Sequence, residues 1–233
     1  MIEKIKTWLN LREYKKNIKV SIFSSIYLFL SNDGLDKRTD KALPHPLNSV
    51  RLPKYFEEVS KLPFGCNVSF GDSLVDLSRE QMDIFDGIFN ISGQWAEHTM
   101  QTIMDLCEVL LLKQPKNIGI GCLGGNPMLV YQNYEYVKRT TIECLDYLRI
   151  KFPYANIIVY GCPPNYSINV TRHAIEYEEL VKNWTINNSA KFISLYELLK
   201  GFFPKAKHSS DGIHLTEYGA WKLNKKIGEL CVR

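Results

Sequence analysis

The sequence has no run of about 20 apolar residues, the length a membrane-spanning helix needs. Its N-terminal apolar stretch, Val20–Leu30, is short and broken by three serines. The six cysteines (Cys66, Cys107, Cys122, Cys144, Cys162 and Cys231) form no C-x-x-C pair. No histidine stands at zinc-like spacing from them, which removes the common structural zinc motifs. Several lie inside apolar runs, so free buried thiols in a reducing compartment, and a cytoplasmic location, are expected. No internal repeat or low-complexity tract appears. Net charge is also scarce outside one segment. Residues 1–41 hold nine Lys and Arg against five Asp and Glu, and the other residues balance at twenty of each. A general nucleic-acid surface on the remainder is therefore not expected.

What is present is an ordinary globular composition. The 233 residues are 45% hydrophobic and 23% charged, enough for a sizeable core. The division expected is a basic and apolar extension with linker over residues 1–60, followed by one domain over residues 61–233. In the extension, residues 1–19 are Lys-rich and include Trp8. Val20–Leu30 fits a buried element, an interfacial anchor or the apolar region of a signal peptide. No clear small-x-small cleavage site follows it. Residues 31–48 carry turn formers, charges and two prolines, and read as a linker or surface loop. His45, between Pro44 and Pro46, suits a loop better than a catalytic role.

From residue 67 onward, strand and helix patterns alternate. Strands are expected at Asn67–Phe70, Ile88–Ile91, Ile118–Leu123, Asn156–Tyr160 and Lys191–Leu195. Helices are expected at Ala96–Leu112, Tyr134–Ile150, Ala174–Asn187 and Thr216–Leu230. This alternation implies an α/β fold: a mostly parallel sheet of about five strands, covered by helices on both faces.

The stretch with chemical content is Cys66-Asn67-Val68-Ser69-Phe70-Gly71-Asp72-Ser73. A strand runs into a tight turn with a hydroxyl at its tip, where ligands of open α/β sheets bind. Gly71 is expected to supply backbone angles closed to other residues. The plainer reading makes Asp72 or Ser73 a helix N-cap. G-x-S-x-G is absent around Ser73, which argues against an α/β-hydrolase elbow. Near the other end stands Asp211-Gly212-Ile213-His214. A serine hydroxyl needs a neighbouring base, and His214 is the candidate. Asp211, three residues before it, could fix the imidazole tautomer.

Gly71-Asp72-Ser73, Ser92-Gly93, Gly124-Gly125-Asn126 and Asp211-x-x-His214 occur in this order. Together they resemble the SGNH hydrolases, also called the GDSL esterases and lipases, from Asn67 to the C-terminus. The resemblance implies a three-layer, flavodoxin-like α/β/α fold. It also implies a catalytic Ser73–His214–Asp211 triad and an oxyanion hole formed by the backbone N–H groups of Ser73 and Gly93 and the side-chain amide of Asn126. No cofactor or metal is implied. Two departures stand out. Pro127 follows Asn126 where the family usually has Asp, and should push Asn126 towards an extended conformation. Trp95 is bulkier than the residues usual after block two; it could wall the site, stack on a sugar or belong to the core.

His98 and His173 lack an acidic residue at Asp-x-x-His spacing. His98, on an expected helix, reads as a surface residue, and His208 as a residue at the mouth of the site. The leading expectation is an esterase acting on a small-molecule or carbohydrate acyl ester, O-acetyl groups included. The alternatives are an acyltransferase acting on a sugar or lipid hydroxyl, and a non-catalytic module binding glycan or membrane. The basic arm makes peripheral membrane contact a further expectation.

Overall fold

The computed structural model describes residues 48–91, 96–121, 123–129, 133–163, 168–200, 207–209 and 214–232. The readings of residues 1–47, including Val20–Leu30 and His45, lie outside these residues.

Five strands form the sheet: β1 (Asn67–Gly71), β2 (Gly87–Asn90), β3 (Asn117–Gly121), β4 (Asn156–Tyr160) and β5 (Lys191–Ile193). Their order is β2-β1-β3-β4-β5, and every pairing is parallel. Strands buried on both faces read as nearly continuous apolar runs, which is why β1, β3 and β4 stand out in the sequence. The chain reverses its direction of travel across the sheet between β1 and β3. In open α/β sheets, ligands bind outside the carboxyl ends of the strands at such a switch point.

The expected helices are present with small boundary changes. The helix α1 (Asn48–Lys61) precedes the sheet, and α2 (Ser73–Leu77) follows β1 directly. Next come α3 (Ala96–Leu110), α4 (Gly125–Leu129), α5 (Tyr134–Lys151), α6 (Ile168–Asn187), α7 (Leu195–Leu199) and α8 (Glu217–Leu230). The third expected helix starts six residues earlier than its periodicity suggests, at Ile168. Sequence pattern does not announce α1, which carries Pro53 in its interior and a charged outer face. Tyr55 and Val59 of this helix are nonetheless buried in the same core as Val68 and Phe70 of β1. A second apolar cluster on the other side joins Leu74 and Val75 to Leu223 and Ile227 of α8.

An asparagine ladder closes the amino end of the sheet. Asn67, Asn117 and Asn156 occupy matching register positions on β1, β3 and β4. Asn117 Nδ2 donates to Asn67 Oδ1 at 2.8 Å, and Asn156 Nδ2 donates to Asn117 Oδ1 at 2.7 Å. Asn117 also exchanges two hydrogen bonds with the backbone of Val232, so the ladder fastens the C-terminal segment beneath the sheet.

Among the described residues no helix is long and apolar enough to cross a membrane. Cys66, Cys107, Cys144 and Cys162 are buried free thiols, as their apolar settings suggest, and Cys231 is half-buried. Burial pushes the Cys107 thiol up to about 12, so it stays protonated and unreactive.

Candidate active site

β1 delivers Gly71, Asp72 and Ser73 at the carboxyl edge of the sheet. Gly71 is needed for space, not for unusual backbone angles. It is absent from the glycines with positive φ, and a Cβ at this position would lie 2.1 Å from Val75 Cγ2. The close approach lets α2 turn back immediately after the strand. Asp72 is the N-cap of α2, its Oδ1 accepting from the Leu74 N–H at 2.9 Å. The capping reading and the exposed-hydroxyl reading therefore hold together: Asp72 closes the helix end and leaves Ser73 to face outward, half-buried.

Ser73 Oγ lies 2.9 Å from His214 Nε2. Two segments clamp the backbone around His214. Ser209 forms an antiparallel bridge with Leu215, and the Thr216 N–H donates to the His208 carbonyl at 3.0 Å. Thr216 Oγ1 donates to the Lys207 carbonyl at 2.7 Å and accepts from the Gly219 N–H at 3.2 Å. Thr216 is thus the N-cap of α8, and it also anchors the loop. Gly219 packs directly on this clamp: a Cβ there would lie 2.6 Å from the His208 carbonyl oxygen. Asp211, Gly93 and Trp95 lie outside the described residues.

Asn126 follows β3, the strand next to β1, so it shares the sheet edge that carries Ser73. The turn before it is held by the Gly124 N–H, which donates to the Tyr177 hydroxyl at 2.9 Å. Asn126 is half-buried and belongs to α4, so the extended conformation expected from Pro127 is not adopted. Pro127 stands in the first turn of this helix, where its missing N–H has no intrahelical acceptor to lose.

The other histidines are placed differently. His98 is half-buried on α3, not a surface residue. His173 stacks on Tyr134, with ring centroids 3.7 Å apart. His208 is buried in the clamp and stacks on Tyr218. A cavity of about 510 Å³ opens at the opposite, amino end of the sheet, where Phe64, Pro115 and Tyr154 line it; neither Ser73 nor His214 does.

The sheet order and layers match the SGNH hydrolase fold of solved structures. A GDSL-like lipase from Bacteroides thetaiotaomicron superposes with a TM-score of 0.63 over 76% of this chain and 95% of its own, at 13% identity. The periplasmic domain of a lipopolysaccharide acetyltransferase from Salmonella ser. Paratyphi A gives 0.52 over 78% of this chain and 95% of its own, also at 13% identity. No protein-family model matches the chain, and no curated protein is significantly similar to it in sequence.

Proposed function

We propose that the chain is a serine hydrolase of acyl esters, with Ser73 as nucleophile and His214 as its base. The observation that carries this reading is the 2.9 Å contact between Ser73 Oγ and His214 Nε2. It is within the range over which a base can take the hydroxyl proton. The Ser73 Oγ–H proton passes to His214 as Oγ attacks the acyl carbonyl. The tetrahedral intermediate collapses, and the departing alkoxide takes the proton from His214. Water then gives a proton to His214 as its oxygen attacks the acyl-serine carbonyl; the second tetrahedral intermediate collapses, Ser73 Oγ takes that proton back from His214, and the carboxylic acid is released.

In this reading Asp211 orients the His214 ring through Nδ1. The N–H groups of Ser73 and Gly93 and the amide of Asn126 stabilise the oxyanion. Donors of this kind are worth about 2.7–4 kcal/mol each. The test is hydrolysis of p-nitrophenyl acetate by wild type and Ser73→Ala, together with fluorophosphonate labelling of Ser73. Retained activity in Ser73→Ala sinks the assignment.

A second reading is acyl transfer, in which a sugar or lipid hydroxyl replaces water in the second half-reaction. The similarity in fold to the Salmonella acetyltransferase domain favours keeping it. Product analysis with an added alcohol acceptor separates the two. Peripheral membrane contact through the basic arm belongs to the same proposal, supported by the charge excess of residues 1–41. Flotation with anionic vesicles, comparing the full chain with a form lacking those residues, tests it.

A further inference from the structure

α4 carries Asn126, whose side-chain amide is an oxyanion donor in the ester-hydrolase reading. A donor of this kind is effective when it is already aimed at the place where charge develops. Among the described residues the Asn126 side chain makes no hydrogen bond of its own. Its placement therefore comes from the backbone of the turn that carries it.

That turn is held at Gly124, through both of its backbone polar groups. The Gly124 carbonyl accepts from the Met128 N–H at 3.1 Å, closing the first turn of α4. The Gly124 N–H donates to the Tyr177 hydroxyl at 2.9 Å. Gly124 and Tyr177 are both buried, so an N–H that lost this acceptor would be stranded away from water. The ring is packed as closely as the hydroxyl is bonded. A Cβ on Gly124 would lie 2.6 Å from Tyr177 Cε2 and 3.1 Å from Val137 Cγ1. Gly124 is not among the glycines with positive φ. It gives the ring room to approach the backbone, as Gly71 does for Val75 beside Ser73.

Tyr177 itself is firmly mounted. It belongs to α6, and its neighbour Glu178 accepts from the hydroxyl of Ser194, the residue directly after β5. About two turns further along α6, Trp184 Nε1 donates to Asp146 Oδ1 of α5 at 2.8 Å. The hydroxyl that fixes Gly124 thus stands on a helix tied both to the sheet and to its neighbour.

We infer that Tyr177 is a positioning residue for the oxyanion hole: its hydroxyl and ring set the Gly124–Gly125 turn, and through it the Asn126 amide. This rests on the ester-hydrolase reading. The chemistry stays with Ser73 and His214, and Tyr177 acts through Asn126.

The test uses the full chain and p-nitrophenyl acetate. Asn126→Ala should lower kcat by about 10²-fold or more. Tyr177→Phe keeps the ring and removes only the acceptor; it should lower kcat about tenfold and leave KM within about twofold. In the double variant, Tyr177→Phe should add less than about twofold to the loss from Asn126→Ala, because no amide is left to misplace. The rate at which a fluorophosphonate labels Ser73 should follow the same order, since its tetrahedral adduct also places an oxygen in the oxyanion hole. Hydrogen exchange at the Gly124 amide should quicken in Tyr177→Phe. Gly124→Ala disturbs the same contact from the other side and should also lower kcat.

Wild-type kcat in Tyr177→Phe, a loss carried by KM alone, full additivity with Asn126→Ala, or unchanged exchange at Gly124 overturns the inference. The two readings fail separately. An impaired Asn126→Ala beside a fully active Tyr177→Phe removes only the positioning role. A fully active Asn126→Ala removes the oxyanion assignment, and the role of Tyr177 with it. A wild type that neither hydrolyses the ester nor takes the label removes the ester-hydrolase reading itself and leaves Tyr177 nothing to position.

Discussion

Ser73 and His214 are 141 positions apart in the chain and 2.9 Å apart in space. Two independent pieces of local structure produce this contact. The Asp72 cap turns the serine outward at the end of β1. The Thr216 clamp fixes the backbone on either side of the histidine.

On the proposed mechanism, both side chains are needed for turnover. Ser73→Ala and His214→Ala should each lower kcat for p-nitrophenyl acetate by about 10⁴-fold or more, and the double variant should be little worse than either single one. The thermal midpoint should hardly move, because both side chains are only half-buried. Steady-state rates measured beside circular-dichroism melts check both parts. Additive losses in the double variant would mean that the two residues do not act as a unit.

Gly71 and Val75 make a steric prediction. Gly71→Ala places a Cβ 2.1 Å from Val75 Cγ2 and 2.7 Å from Val75 Cβ. Overpacking of this kind should cost about 2 kcal/mol and disturb the Ser73 turn, lowering activity as well. Val75→Ala in the same chain should rescue stability only in part, because it removes the nearer atom and leaves the Cβ. Urea midpoints of the three variants test this, and full rescue would contradict the geometry.

The asparagine ladder predicts a large effect far from Ser73. Asn117 is fully buried and makes four side-chain hydrogen bonds, to Asn67, Asn156 and twice to Val232. Asn117→Leu should destabilise the protein by about 3 kcal/mol, since it strands several buried donors and acceptors at once. Residues 230–232 should also lose hydrogen-exchange protection. A loss below about 1 kcal/mol would mean that water replaces the ladder without penalty.

Glu178 gives a pH dependence. Burial raises its pKa above the ordinary glutamate range, opposed in part by the Ser194 hydroxyl, which lies 3.0 and 2.8 Å from its two carboxylate oxygens. The folded state thus holds this proton more tightly than the unfolded state does. The associated stability is complete at pH below the unfolded-state value and is lost as pH rises through the raised folded value. Glu178→Gln mimics the protonated form and should flatten that decline. Relative to wild type, its thermal midpoint should improve from mildly acidic to neutral pH. An unchanged difference between the two proteins across that range would rule the assignment out.

The sequence by itself determined the elements and their kind. Asn67–Gly71, Asn117–Gly121 and Asn156–Tyr160 are apolar enough to read as buried strands, and the helices between them show their own period. It also marked Ser73 and His214, because a strand ending in Gly-Asp-Ser and a loop leading into a capped helix are local patterns. Only the tertiary structure decided the rest. The part played by α1 in the core is not a local property: Pro53 and the charged face obscure it, and Tyr55 and Val59 gain meaning only against β1 and β2. Pro127 was misleading because its effect on Asn126 depends on where α4 begins. The asparagine ladder and the stacking of His208 on Tyr218 join residues whose spacing in the chain carries no period. Hydrophobic periodicity is a signal between neighbours along one element, whereas strand order, the fit of Gly71 against Val75 and the meeting of Ser73 with His214 arise only when separate elements pack.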